Sequence, residues 1–263
     1  MSTTETAYEI VHELKNLVKG EIVQVRLIEL GKKAVPALAG FLLEAPGNLR
    51  SRSLSAEALR IVGGREAFEA LVKGLNIFLG VEDPITALEE EAVKNRIAAE
   101  LKYFGGEAIG PLLKALETQH LVGAAESLAE LKEQKAIPYL TELLEDSFKR
   151  LRISEAILEF GPAALEKLIE TTKFRKLKDS VEMLPSLERR ATATRLLGAI
   201  GGDTAFSRLA ELLYDCDEHR LVKFEAALHL LRIASGHIHE KAQAVIRDSL
   251  SDPELARRLK FEL

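Results

Sequence analysis

The sequence predicts an all-α protein, an α-α superhelix (solenoid) of about seven helix pairs. Three observations predict this fold class: a short motif recurs along the chain, most copies follow a glycine turn, and apolar residues return at three- and four-residue steps between the turns. The chain has 263 residues, of which 47% are apolar, so it has enough apolar material for an extended core. No apolar–polar alternation is long enough to predict a β-strand.

The recurring motif is Ala-φ-x-x-Leu, where φ is Val, Ile, Leu or Phe. Its successive copies start 33, 41, 28, 28 and 41 residues apart, and a self-similar period in this range is typical of helical repeat proteins. The small Ala side chain allows neighbouring helices to approach closely. The six copies begin at Ala34, Ala67, Ala108, Ala136, Ala164 and Ala205.

Turn residues separate the two helices of each predicted pair. Glycine precedes five copies, and it suits the end of a helix because it enters the left-handed region without a Cβ penalty. The fourth copy instead follows Lys132-Glu133-Gln134. Proline in the first turn of the second helix, as at Pro36 and Pro138, begins that helix at little cost. The predicted pairs span roughly 6–44, 48–79, 84–118, 120–146, 147–174, 186–215 and 219–250.

The two long spacings contain insertions, at about 79–90 and 173–186. In the first, Asp83-Pro84 predicts the start of an extended helix, and the second is expected to form a basic loop or a short extra helix. A terminal helix is predicted at about 253–261, with Asp252 as its N-cap. Since no linker interrupts the pattern, residues 1–263 are expected to form a single repeat domain.

A basic residue, an Ala-rich stretch, a glycine turn and Ala-Val/Ile-Pro-x-Leu follow one another in this order, and the combination resembles HEAT repeats. The most similar repeats are the short HEAT-like ones of phycobilin lyase subunits. The segments that carry the resemblance are 51–75, 94–116 and 121–144. The resemblance implies a solenoid of HEAT-like pairs. It transfers no functional residue, because it lies in core and turn positions.

A solenoid usually binds its partner on the concave face, which second helices line. The residues three and six positions after each motif Ala are therefore candidates for this face. The position six residues on changes along the chain from neutral through basic to acidic, which favours a protein or peptide over nucleic acid. The candidates are Lys73, Pro111, Lys114, Tyr139, Glu142, Lys167, Glu170, Arg208 and Glu211.

A basic residue recurs 11 positions before the turn glycine in four repeats, as Arg52, Lys94, Arg150 and Arg190. We call this set the basic ladder. A charge that recurs once per repeat usually joins neighbouring repeats, so the ladder is expected to be structural and to pair with acids that end the preceding unit, such as Asp146. The alternative is a stripe that binds phosphate or acidic groups.

The remaining composition excludes several kinds of site. Cys216 is the one cysteine, so no internal disulfide is expected, and its distance from His237 and His239 argues against a metal site. No catalytic residues and no cofactor are predicted. The start of the chain has no signal-peptide pattern, no apolar run is long enough to cross a bilayer, and the pI near 5.8 argues against nucleic-acid binding. We therefore expect a cytoplasmic protein.

Three functions are compatible with the pattern. The first is a non-enzymatic scaffold that binds a protein or peptide on the concave face. The second, implied by the resemblance, is a phycobilin-lyase-like subunit that handles a tetrapyrrole on an acceptor protein. The third is phosphate or nucleic-acid binding along the basic ladder and the basic cluster at 173–178. Regional charge is uneven, with a net charge of −8 over residues 81–146 and +4 over 147–200, which would orient a charged partner.

Overall fold

The computed structural model describes residues 3–16, 19–43, 49–77 and 82–262. Within these residues the chain forms sixteen α-helices, several short 3₁₀ turns and one β-hairpin, which confirms the all-α fold class. The predicted pair ends at 44, 48 and 79 fall outside the described residues. The chain divides into two compact units, residues 1–133 and 134–263.

The first unit is built from two layers of helices. The first helices of successive pairs, α2, α4, α6 and α8, pack side by side, and the second helices, α3, α5 and α7, form the other layer. The helices are α1 (Thr3–Val11), α2 (Gly20–Glu29), α3 (Val35–Leu42), α4 (Leu49–Val62), α5 (Gly64–Asn76), α6 (Pro84–Leu101), α7 (Gly106–Gln119) and α8 (Val122–Glu130).

The second unit repeats this arrangement. Helices α10, α12 and α14 form one layer, and α9, α11, α13 and α15 form the other. The elements are α9 (Ile137–Leu143), α10 (Arg150–Phe160), α11 (Leu165–Lys173), β1 (Leu177–Lys178), β2 (Val181–Glu182), α12 (Leu184–Ile200), α13 (Asp203–Tyr214), α14 (Arg220–Ile233), α15 (Gly236–Ser249) and α16 (Pro253–Glu262).

The repeat motif supplies the core between the two layers. The Ala and the Leu of all six copies are 0% exposed, from Ala34 and Leu38 to Ala205 and Leu209. Each copy lies in the first turns of a second helix or in the 3₁₀ turn that leads into it. Because Ala has no side chain beyond Cβ, it lets the first helix approach, and the Leu one turn later fills the space between the layers.

The turns use left-handed backbone conformations, as the glycines predict. Gly105 and Gly161 have φ of +61° and +55°, and in the repeat without glycine Lys132 adopts φ of +56°. A residue with a Cβ costs about 1 kcal/mol or more in this region, so lysine is less favourable at this turn than the glycine of the other repeats. Pro111 differs from the other prolines because α7 already begins at Gly106, which places Pro111 inside the helix rather than in its first turn.

The two insertions take different forms. In the first, residues 78–81 lie outside the described residues, and α6 then begins at Pro84 with Asp83 as its cap, where Oδ2 accepts a hydrogen bond from the Thr86 N–H at 2.8 Å. The second insertion contains a β-hairpin where a basic loop or a short helix was predicted. Its two turn residues, Asp179 and Ser180, both have positive φ, as a tight type I′ hairpin turn requires.

Candidate functional site

The predicted concave-face residues lie on the second helices. In the first unit, Lys73 on α5 and Lys114 on α7 are exposed, and Pro111 is half-buried. None of these three residues lines either of the two pockets described below. The second unit contains the other six candidates, and five of them line two pockets there. These are Glu142, Lys167, Glu170, Arg208 and Glu211, while Tyr139 on α9 is half-buried and lies outside both linings.

The larger pocket, which we call the α9–α11 pocket, has a volume of about 670 Å³. It lies between the second helices α9 and α11, and the segment that leads into the hairpin also lines it. Four cations and two carboxylates line it, so its charge balance is positive. The lining residues are Thr141, Glu142, Lys167, Glu170, Thr171, Lys173, Phe174, Lys176 and Arg189.

Arg189 is the most buried cation of this pocket, with 6% of its side chain exposed. One terminal nitrogen pairs with Glu145 at 2.8 Å, and the guanidinium carbon lies 5.2 Å from the centre of the Phe174 ring. The Nε atom is buried and has no hydrogen-bond partner in the protein. A buried N–H donor without a partner is costly, and an acceptor that enters the pocket would remove that cost.

Phe174 and Lys173 extend the pocket toward solvent. Phe174 is 57% exposed even though its ring stacks with Arg189, so one aromatic face remains accessible to a ligand. Lys173 is exposed and also lines a neighbouring pocket of about 380 Å³ between α11 and α13. The two pockets therefore adjoin at Lys173.

Ion pairs set the charge pattern on the second helices. Lys167 pairs with Glu170 at 2.8 Å, and this hydrogen bond and the Lys167 charge lower the pKa of the Glu170 carboxyl. Arg208 pairs with Glu211 at 2.8 Å and donates a second hydrogen bond to the Thr172 hydroxyl at 2.9 Å. Four of the predicted residues thus form two i, i+3 pairs on adjacent helices.

Sequence periodicity selected Glu142, Lys167 and Glu170 but missed Arg189, Phe174 and Lys176. Arg189 directly precedes the ladder residue Arg190, and only the latter matched the repeat spacing. Phe174 and Lys176 belong to the insertion, where no repeat applies. The available signal was an aromatic residue inside the basic run that starts at Lys173.

The three arginines of the basic ladder share one set of contacts. Each lies in a first helix, and its Nε donates to a carbonyl at the C-terminal end of the preceding second helix. The last carbonyls of a helix accept no hydrogen bond from within that helix, so the arginine caps its C-terminal end. The bonds run from Arg52 to Leu42 at 3.0 Å, from Arg150 to Leu144 at 2.7 Å and from Arg190 to Thr172 at 2.8 Å.

The same arginines also bind carboxylates of the following pair. Arg52 pairs with Glu90, Arg150 with Glu188 at 3.3 Å, and Arg190 with Glu218. The sequence predicts carboxylates that end the preceding unit, such as Asp146. In these contacts the preceding helix offers a carbonyl, and the acids come from α6, from α12 and, for Glu218, from the turn before α14. Arg190 also pairs with Glu182 of the hairpin, which precedes its own helix, at 2.8 Å. Burial and the nearby Arg258 lower the pKa of Arg150 although Glu188 acts in the opposite direction.

Lys94 forms a variant of this arrangement. Its ammonium group donates to the Gln119 side-chain oxygen at 2.7 Å, and the Gln119 amide donates to the Leu75 carbonyl at 3.2 Å, at the end of α5. The amide therefore makes the capping bond that the arginine makes in the other repeats. Burial and the charge of Arg52 lower the pKa of Lys94, while Glu90 acts in the opposite direction.

The ladder contacts are internal to the repeat stack. Arg52 and Arg190 have only 2% and 1% of their side chains exposed. A surface stripe for phosphate or acidic groups therefore cannot be built from these two residues.

Metal and membrane sites find no support in the described part of the chain. Within the described ranges, no three His, Cys, Asp or Glu side chains converge in a way that would hold a metal ion. Cys216 is an exposed free thiol, and His219 caps α14 by accepting from the Leu221 N–H at 3.2 Å. No helix among the described residues is both long and apolar enough to cross a bilayer.

Stacked helix pairs with a once-per-pair core motif define a helical repeat protein. Residues 122–146, which contain α8 and α9, match the family model of the PBS lyase HEAT-like repeat. At these residues the chain matches a HEAT-like repeat of the type named for phycobilin lyases, and the resemblance seen in the sequence is confirmed.

Two solved structures are similar to nearly the whole chain. Human deoxyhypusine hydroxylase in complex with glycerol is 18% identical, with a TM-score of 0.38, and the match covers 97% of this chain and 93% of that chain. The complex of CpcE and CpcF of phycocyanin lyase from Nostoc sp. PCC7120 is 21% identical, with a TM-score of 0.39, covering 94% of this chain and 95% of that chain. No curated protein matches.

Proposed function

We propose that the chain is a phycobilin-lyase-like HEAT subunit that binds a tetrapyrrole in the α9–α11 pocket and handles it together with a protein partner. The observation that carries the proposal is the pocket itself, with its buried Arg189, its accessible Phe174 face and its excess of cations. The family model that matches residues 122–146 favours this function over a general scaffold.

The chemistry of the pocket suits this ligand class. A volume of about 670 Å³ lies within the range of small-molecule sites, roughly 300–1,000 Å³. Linear tetrapyrroles are conjugated and carry two carboxylates. The Phe174 ring offers a face for the conjugated system, and Arg189 with Lys173 offers charge-assisted hydrogen bonds to the carboxylates.

Titration of the purified chain with a linear tetrapyrrole tests the proposal through the ligand's visible absorbance. We expect saturable binding that Arg189→Gln weakens by about 10- to 100-fold, since a hydrogen bond to a charged group contributes about 1.5–3 kcal/mol. Lys173→Gln should weaken it less, because Lys173 is exposed. If Arg189→Gln fails to fold because it lacks the ion pair with Glu145, Lys173→Gln still tests binding at the pocket.

Arg65→Gln is the matched control, because it removes an exposed arginine of the first unit, far along the chain from the pocket. It should leave the affinity unchanged. Absence of saturable binding, or equal affinity in all variants, would contradict a tetrapyrrole site at this pocket. Co-expression with a tetrapyrrole and an acceptor protein then tests the handling step, which requires pigment to appear on the acceptor.

A second candidate is a protein-binding scaffold on the second helices. The ion pairs on α11 and α13, whose acidic members Glu170 and Glu211 are exposed, favour it together with exposed Lys114 on α7. Charge reversal at Lys114 or Glu142 is expected to weaken capture of a protein partner in a crosslinking assay without a change in helicity. Tetrapyrrole binding with no specific protein partner would exclude the scaffold function.

A further inference from the structure

The two insertions expose apolar side chains that the repeat pattern does not require. At the start of α6, in the first insertion, Ile85 is 70% exposed and Leu88 is 68% exposed. At the hairpin, in the second insertion, Val181 is 69% exposed and Met183 is 42% exposed. Clustered exposed apolar side chains, unlike single ones, typically mark an interaction surface.

The α6 surface is acidic around its apolar residues. Ile85 and Leu88 are three residues apart and lie on the same side of the helix. Glu89 follows Ile85 by four residues on the helix, so the two lie on the same side of α6. Glu82 is exposed and lies just before the helix begins at Pro84, so it adds negative charge at that end. Residues 82–91 contain five acidic residues and no basic one. We call Glu82, Ile85, Leu88 and Glu89 the α6 surface.

The hairpin surface has the opposite charge. Lys178 pairs with Val181 across the two strands, and the Met183 N–H donates to the Lys176 carbonyl at 2.9 Å. Residues opposite one another in antiparallel strands share a face, so Lys176, Lys178, Val181 and Met183 lie together. Glu182, on the other face, accepts hydrogen bonds from Ser186 and Arg190. We call the four residues that share a face the hairpin surface.

We infer that the hairpin surface of one copy docks on the α6 surface of a second copy of this chain. Each surface presents two apolar side chains beside charged groups, and the charges are opposite in sign. Lys176 pairs with Glu145 of its own chain at 2.7 Å, so Lys178 carries most of the positive charge that the hairpin surface offers to a second copy. Complementary potentials of this kind select and orient a partner. The difference in charge extends beyond the two surfaces, since residues 81–146 carry a net charge of −8 and residues 147–200 carry a net charge of +4.

This contact is heterologous, because it joins two different surfaces. Each copy that uses its hairpin surface leaves its α6 surface available for the next copy, so association continues into a ring or an open chain. The charged groups are exposed, so added salt screens their attraction and weakens the assembly. The association is therefore expected to depend on both protein concentration and ionic strength.

Sedimentation velocity of the full chain tests the inference. The sedimentation coefficient should rise with protein concentration at low salt and fall toward the monomer value at high salt. Lys178→Glu places a carboxylate on the hairpin surface, where it faces the acidic α6 surface, and Glu89→Lys places a positive charge on the α6 surface opposite the basic hairpin. Each variant alone should stay monomeric at concentrations where the wild-type chain associates.

In an equimolar mixture, the hairpin surface of the Lys178→Glu variant can meet the α6 surface of the Glu89→Lys variant. The exchanged charges at this contact are again opposite in sign, so the mixture should associate. Glu117→Lys, an exposed charge reversal on α7, is the matched control and should associate like the wild type. A chain that stays monomeric at all concentrations overturns the inference. It is equally overturned if the mixture fails to associate. Vesicle binding is measured in parallel, and the inference is also overturned if Lys178→Glu associates like the wild type and loses only affinity for anionic vesicles.

Discussion

The buried pair of Arg52 and Glu90 offers a direct test of how the repeats are joined. The Arg52 side chain is 2% exposed and makes two contacts, one with the Leu42 carbonyl at 3.0 Å and one with the Glu90 carboxylate. Glu90 has 9% of its side chain exposed, and its second oxygen has no hydrogen-bond partner in the protein. Removal of either partner therefore leaves the other charge buried without its ion-pair partner.

The expected magnitudes follow from that geometry. Arg52→Met should lower the free energy of unfolding by about 3–5 kcal/mol, and Glu90→Leu should lower it by a similar amount. In the double variant both charges are gone, and only the Leu42 carbonyl loses its donor, which costs about 1–3 kcal/mol. The double variant is therefore expected to be more stable than either single variant, with a strongly non-additive cycle.

Urea unfolding followed by far-UV circular dichroism measures these differences. Arg65→Met is the control, because Arg65 forms an exposed i, i+4 pair with Glu69, and it should cause no measurable change. The reasoning is refuted if Arg52→Met behaves like Arg65→Met. It is also refuted if the two single effects simply add in the double variant.

Two further predictions concern a cap and a close approach between helices. Burial and the charge of Arg220 lower the pKa of His219, whose Nδ1 accepts from the Leu221 N–H. The unfolded state then binds the proton more readily, so stability should fall as the pH drops below about 6.5. His219→Asn keeps a capping acceptor and should reduce this slope in urea titrations at several pH values; an unchanged slope contradicts the assignment. Gly123→Ala should destabilise by about 1–3 kcal/mol, because its Cβ would lie 2.4 Å from the Asn95 carbonyl oxygen. Gly110→Ala, where nothing lies within 4 Å, should stabilise by about 0.5–1 kcal/mol in the same assay, and equal effects at the two glycines would rule out the close approach.

The fold was predictable because its signals are local and repeated. The twelve Ala and Leu residues of the motif are all 0% exposed, and each position is specified by the same contact with the neighbouring layer. The hairpin was not predictable from that pattern, because it occurs once and lies in an insertion. Its turn depends on positive φ at Asp179 and Ser180, a conformation that Asn-Gly or Asp-Gly would have indicated more strongly than Asp-Ser.

The candidate site was predictable only where it follows the repeat. Glu142, Lys167 and Glu170 occupy repeat positions, so periodicity alone placed them on second helices. Arg189 comes from a first helix, and Phe174 comes from the insertion. These two meet the row of second-helix residues only through the tertiary contacts between α11 and α12, which a one-dimensional period does not encode.

Lys94 shows that a repeat preserves a set of contacts rather than a residue. The three donors of a lysine ammonium group sit on one nitrogen, whereas the planar arginine fork spreads its donors over three nitrogens and reaches a carbonyl and an acid on different sides. At this repeat Gln119 replaces the acid, and its amide carries both an acceptor for Lys94 and a donor for the Leu75 carbonyl. Lys94 and Gln119 therefore cap the end of the preceding second helix with one formal charge, whereas an arginine and its acid use two opposite charges. A search that scores each position separately would count Lys94 as a weak match, whereas a search for paired positions would find the ladder complete.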